Sequence, residues 1–182
     1  MSSLTQIRLL AQYNRWMNEK LYRTAAQLSD EQLHADRRAF FGSLFDTLHH
    51  IYTGDVVWLK RFATHPATLV ALDPVRALAQ PCSVTDFAHG NLSALWDARQ
   101  ALDQIIVAWT EELTDDHLSH TLRYSNTKGV VAARSFESLV LHLFNHQTHH
   151  RGQATTLLSQ EGLDVGTTDL FALIPDQSQP SH

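Results

Sequence analysis

Cysteine is almost missing from this chain. Cys82 stands alone, so no internal disulfide can form, and a reducing cytoplasm is the simplest home to expect. Also missing is any run near the roughly 18 consecutive apolar residues that a membrane span requires, so no membrane partner is expected. The opening residues, MSSLTQIRLL, place no basic region ahead of a long apolar stretch, and a secretory signal is not expected. Dense lysine and arginine clusters are lacking too. With a net charge of -5 the chain has no basic patch for phosphate contacts, which argues against a nucleic-acid partner. The Lys60-Arg61 and Arg37-Arg38 pairs read as solvated surface charge. Internal repeats and low-complexity tracts are absent as well.

What is present is the balance of an ordinary globular protein, 43% hydrophobic and 18% charged. A length of 182 residues suits one domain with a sizeable core, here expected over 1–175 with a polar tail at 176–182. Histidine is the unusual abundance: there are 12, four of them between His142 and His150.

Apolar residues at three-and-four spacing predict the long elements. Leu9, Leu10, Tyr13, Trp16, Met17, Leu21 and Tyr22 mark a helix within 4–28, and Ser29-Asp30-Glu31-Gln32 looks like a capped restart. A second helix is expected over about 43–63. Pro66, Pro74 and Pro81 then punctuate what reads as a long irregular crossover with a single helical turn. A third helix is expected over roughly 85–112, with Asp86 near its N-terminus. Thr121–Tyr124 and Val130–Ala133 flank Asn126-Thr127-Lys128-Gly129 as a small β-hairpin. Ser135 then caps a fourth long helix that ends at Gly162. Four long helices and one weak hairpin predict an all-α four-helix bundle.

The fourth helix carries the chemistry. Its inward stripe runs Leu139, Leu143, His146, His150, Ala154 and Leu157, so two histidines lie in line with core leucines. One reading is a pair of core histidines, each satisfied by hydrogen bonds. The other is a pair one turn apart offering two imidazoles to one metal ion. The pattern alone does not choose between them. A third ligand would come from the second helix, where His49 and His50 point about 100° apart. Spacing separates these two poorly; Thr47, Gly54 and Val57 on the face of His50 leave more room and tilt the choice slightly toward it. His142 and His149 lie off the 146/150 line.

The run Leu143-Phe144-Asn145-His146-Gln147-Thr148-His149-His150-Arg151-Gly152-Gln153 resembles the signature helix of the DinB/YfiT-like family of bacterial four-helix proteins. Thr47-Leu48-His49-His50-Ile51, followed by Asp55 and Trp58-Leu59, is similar to that family's second-helix motif. Tyr13-Asn14-Arg15-Trp16-Met17-Asn18 resembles its first-helix motif, and Gly162-Leu163-Asp164 with Leu173-Ile174-Pro175 its closing segment. The resemblance implies a bundle in which three histidines bind a divalent metal, commonly zinc or nickel, often within a homodimer. The family positions fall on His50, His146 and His150. Some relatives transfer low-molecular-weight thiols, so the resemblance implies a small thiol and an electrophile as partners, in a stress response. Alternatives on the same site are a metal-dependent hydrolase and a non-catalytic metal- or small-ligand-binding protein. Asn14, Trp16, Asp55, Gln147 and Arg151 are the other polar or aromatic residues of the matched motifs. Asp55 could orient a ligand histidine through its ring N–H, or it could form an interhelical salt bridge.

Overall fold

The computed structural model describes residues 2–83, 88–126 and 129–176. Helix α1 spans Ser3–Ala25 and is capped by the Ser2 side chain, which accepts the Thr5 N–H. The short helix α2, Asp30–His34, begins with the expected capping box, Ser29 and Gln32 each accepting the other's backbone N–H. Helix α3 covers Leu44–Phe62, with Ser43 accepting the Asp46 N–H at 3.0 Å.

The crossover is more ordered than its prolines suggest. A 3-10 turn at Val70–Leu72 leads into α4, Asp73–Ala77, where Pro74 occupies the first turn and loses no helix hydrogen bond there. Leu69, Leu72 and Val75 are fully buried, so this segment covers one side of the core. Lys60 fastens its end, donating to the carbonyls of Val75, Arg76 and Leu78 at 3.2, 3.4 and 2.6 Å.

Helix α5 runs Leu92–Glu112 and starts later than expected, because Asn91 accepts the Ala94 N–H and ends the extended approach from His89. The proposed N-terminal charge Asp86 lies outside the described residues. A short helix, α6 at Asp115–Ser119, was not evident from periodicity and precedes the hairpin. Strands β1, Thr121–Ser125, and β2, Val131–Ser135, pair antiparallel with Thr121 opposite Ser135 and Ser125 opposite Val131. Helix α7, Phe136–Gln160, is capped by Ser135 and followed by Gly162 at φ 75.

The long helices pack in a ring. Helix α1 lies against α5 and α7, and α3 lies against α7 and α5, so the expected four-helix bundle is observed. Its core runs through Met17, Leu21, Leu48, Leu59, Phe62, Leu95, Ile106, Trp109, Phe136 and Leu143. No helix among the described residues is long and apolar enough to cross a membrane.

Candidate metal centre

The 146/150 stripe faces inward, and α3 presents His50 to it. The three rings converge: their centres lie 4.4 Å apart for His146 and His150, 4.6 Å for His50 and His150, and 5.2 Å for His50 and His146. One ligand nitrogen from each lies within 4.8 Å of the others. His50 Nε2 and His146 Nε2 are 3.3 Å apart. Two imidazole nitrogens bound tetrahedrally to zinc at a bond length near 2.05 Å are also separated by about 3.3 Å.

Local chemistry sets each ring. His150 Nδ1 donates to Gln153 Oε1 at 2.8 Å, one helical turn on, which leaves the Nε2 lone pair for the site. The His146 ring lies against Gly54: a Cβ built there would come within 2.9 Å of His146 Cε1. Its Nδ1 is buried without a hydrogen-bond partner. Burial pushes the His146 pKa down to about 3, and the neighbouring His150 and His50 rings act the same way. Burial also lowers that of His150, against the pull of Gln153. Neutral imidazoles are the form that binds metals. Three such donors, with the Nε2 atoms of His50 and His146 at a spacing that one tetrahedral ion would bridge, fit a divalent ion.

His49 behaves as the hydrogen-bonded core histidine instead. Fully buried, it accepts the His89 backbone N–H at Nε2 (3.1 Å), while Nδ1 lies 3.2 Å from Thr53 Oγ1. His142 and His149 flank the cluster, His142 within 6.0 Å of the His146 ring and His149 within 4.8 Å of the His150 ring. Cys82 is exposed in the crossover.

Phe41 is a neighbour that periodicity did not find. Its ring stacks on His50 at 3.9 Å with planes 23° apart, and meets His150 edge-on at 5.4 Å. The loop that delivers it turns through Arg38 at φ 55 and Gly42 at φ 81, closed by the Arg37 N–H donating to the Gly42 carbonyl at 2.8 Å. Arg37 also pairs with Glu161 at 2.5 Å, tying this loop to the end of α7.

Behind the histidines lies a buried polar layer to which all four long helices contribute. Asp55 Oδ2 accepts from Arg99 Nη1 at 2.5 Å and from Gln147 Nε2 at 2.7 Å. Arg99 Nη2 pairs with Asp103 at 2.8 Å, and Asp103 accepts from the Asn14 and Asn18 side-chain amides. Arg151 donates to Asn14 Oδ1 and to Thr148 Oγ1. Burial pushes the Asp55 carboxyl up to about 6, with Arg99 and the Gln147 hydrogen bond pulling it back. Asp55 therefore forms the interhelical salt bridge, and among the described residues it accepts from Arg99 and Gln147 rather than from a ring N–H. The signal was in the sequence: Gln147 and Arg151 interrupt a second buried row on α7, Val140, Phe144 and Leu158, as Asn14 and Asn18 interrupt Ile7, Ala11, Leu21 and Ala25 on α1.

Two comparisons with known proteins bear on this centre. A family model described as the DinB family matches residues 1–179. The curated Protein DinB of Bacillus subtilis (strain 168) is 25% identical over 160 residues, covering 88% of this chain and 88% of that protein. No solved structure matches the chain.

Proposed function

The chain belongs to the DinB family, and from that premise we propose that His50, His146 and His150 hold one divalent metal ion, zinc or nickel, beside which a small thiol is joined to an electrophile. The observation that carries this reading is the convergence of three imidazoles from two helices onto one point. Such a donor set leaves an ion's charge uncompensated and at least one position open. When bound, the ion would supply Lewis acidity, so that a thiol held there loses its proton to solvent more readily and its sulfur can attack carbon, either as a leaving group departs with its electron pair or, on addition to a double bond, as solvent protonates the displaced pair.

The chain's own residues do the positioning. Gln153 fixes the His150 tautomer, and Gly54 gives the His146 ring its place. Phe41 covers one face of His50, keeping water from it and offering an apolar surface to the electrophile. Removal of electrophiles by thiols is a stress-response chemistry, and we place it in a cytoplasmic homodimer on the family resemblance and the single cysteine. A purely structural ion is disfavoured, since structural zinc sites close with four protein ligands and commonly use cysteine.

Elemental analysis of untagged protein tests the site. About one equivalent of metal is expected in the wild type and in His49→Ala, lost in His50→Ala, His146→Ala and His150→Ala. Wild type that stays empty after reloading with zinc and nickel would sink the proposal. Conjugation of monobromobimane to cysteine or glutathione, measured on the loaded protein, then tests the transferase. Ester hydrolysis without thiol would point to the hydrolase, and bound metal with neither activity to a binding protein.

A further inference from the structure

A cleft of about 600 Å3 opens between the last turns of α3, the crossover at Gln80 and strand β1. Three of its lining side chains are cationic, Lys60, Arg61 and Arg123, and none among the described residues is a carboxylate, although the chain carries a net charge of -5. Lys60 is already engaged with the three carbonyls at the end of α4. Arg61 is not. Expected as solvated surface charge, it is half-buried, with its guanidinium 4.5 Å from the Trp58 ring centre and 5.1 Å from that of Tyr124. No carboxylate among the described residues pairs with it, and burial lowers its pKa with only Tyr124 opposing. Arg123, on β1, is exposed and likewise has no acidic partner among the described residues.

A partly desolvated guanidinium set beside aromatic rings still offers N–H donors to an acceptor, and its fork matches carboxylate or phosphate. We propose that this cleft is a second small-molecule site, binding a flat organic anion whose charged group pairs with Arg61 and Arg123. Tyr124 supplies an aromatic wall for its body, and Trp58, in edge contact with Tyr124 at 5.6 Å and 62°, backs Arg61 from the neighbouring cleft. A neighbouring cleft of about 590 Å3 shares Tyr124, adds Arg134 and reaches His142, again with no carboxylate among the described residues of its lining. The anion site therefore borders the histidine cluster through Trp58 and His142, whose rings are 4.9 Å apart, without sharing a residue with it.

Three probes with one ring and different head groups test this on the zinc-loaded protein: benzoate, phenyl phosphate and neutral benzamide, each titrated against amide and indole NMR signals. Saturable shifts at Trp58 and Tyr124 are expected with the two anions and not with benzamide. Arg123→Met, at an exposed position that leaves the fold intact, is expected to weaken binding about tenfold, as is Arg61→Met. Arg61→Lys keeps the charge but not the fork and is expected to fall between. Tighter phenyl phosphate would identify phosphate esters and tighter benzoate would identify carboxylates; either supports the site. Equal binding of benzamide, or wild-type affinity in both arginine variants, would overturn it. The same titration on His146→Ala separates this site from the metal reading: binding is expected to persist there, and its loss would refute a separate site.

Discussion

At the scale of single residues, Gly54 matters for what it lacks. A side chain there would occupy the place of the His146 ring. Gly54→Ala is expected to weaken zinc at least tenfold in a competition assay with a chromophoric chelator, while helix content holds, because alanine improves helix propensity by about 1 kcal/mol. Gly152, on the same α7 as His146, has open space around it, so Gly152→Ala should leave zinc affinity unchanged and raise the urea midpoint. Gln153→Leu removes the acceptor that sets His150 and is expected to cost about 10–100-fold in zinc affinity in the same assay. His65 gives a pH signature outside the site. Its Nδ1 accepts the Ala67 N–H at 3.0 Å, which requires a neutral ring, and burial lowers its pKa from 6.5 against the pull of the His117 carbonyl. The unfolded chain takes up that proton first, so its contribution to stability is complete above 6.5 and is lost as pH falls below it. Metal-free protein should show a lower urea midpoint near pH 5.5 than near pH 7.5, and His65→Gln a smaller drop. The three-and-four rhythm made His146 and His150 visible in the sequence. It could not reveal Phe41, nor that the room read at Gly54 is filled by the His146 ring, since both depend on contacts between segments distant along the chain.

At the scale of elements, Arg99 is the most consequential side chain of α5. It is fully buried between Asp55 on α3 and Asp103 on its own helix. Arg99→Met strands two buried carboxylates and is expected to destabilise the fold by about 3–5 kcal/mol, read from urea denaturation. Helices α1, α3 and α7 were legible to within a few residues because caps and apolar stripes agree there. The start of α5 was not, since the apolar residues ahead of Asn91 mimic a further turn. The crossover carries the expected helical turn but extends it over Val70–Ala77: Pro74 reads as a breaker, yet at the first turn of α4 it is compatible with the helix.

At the scale of the whole molecule, the proposed centre would couple metal binding to folding. Two of the three histidines lie on α7 and one on α3, so an ion held across them would favour the folded chain over the unfolded one. At about 1,000 times its dissociation constant, zinc should add about 4 kcal/mol, seen as a rise in thermal midpoint that EDTA reverses and His146→Ala abolishes.

The polar layer has one more consequence. Adjacent histidines on α3 pose an addressing problem, since a rotation of about 100° about the helix axis would hand the site to His49. The buried leucines of α3 resist that error through packing, and a buried carboxylate with fixed partners resists it further. Asp55, five residues beyond His50, must meet Arg99 and Gln147 at the same time. Gln147 and Arg151 each follow a site histidine by one residue on α7, and Arg151 reaches Asn14 across to α1. The layer thus works as a keyway: it fixes the rotational setting of each helix, and with it decides which of two identical side chains looks into the centre.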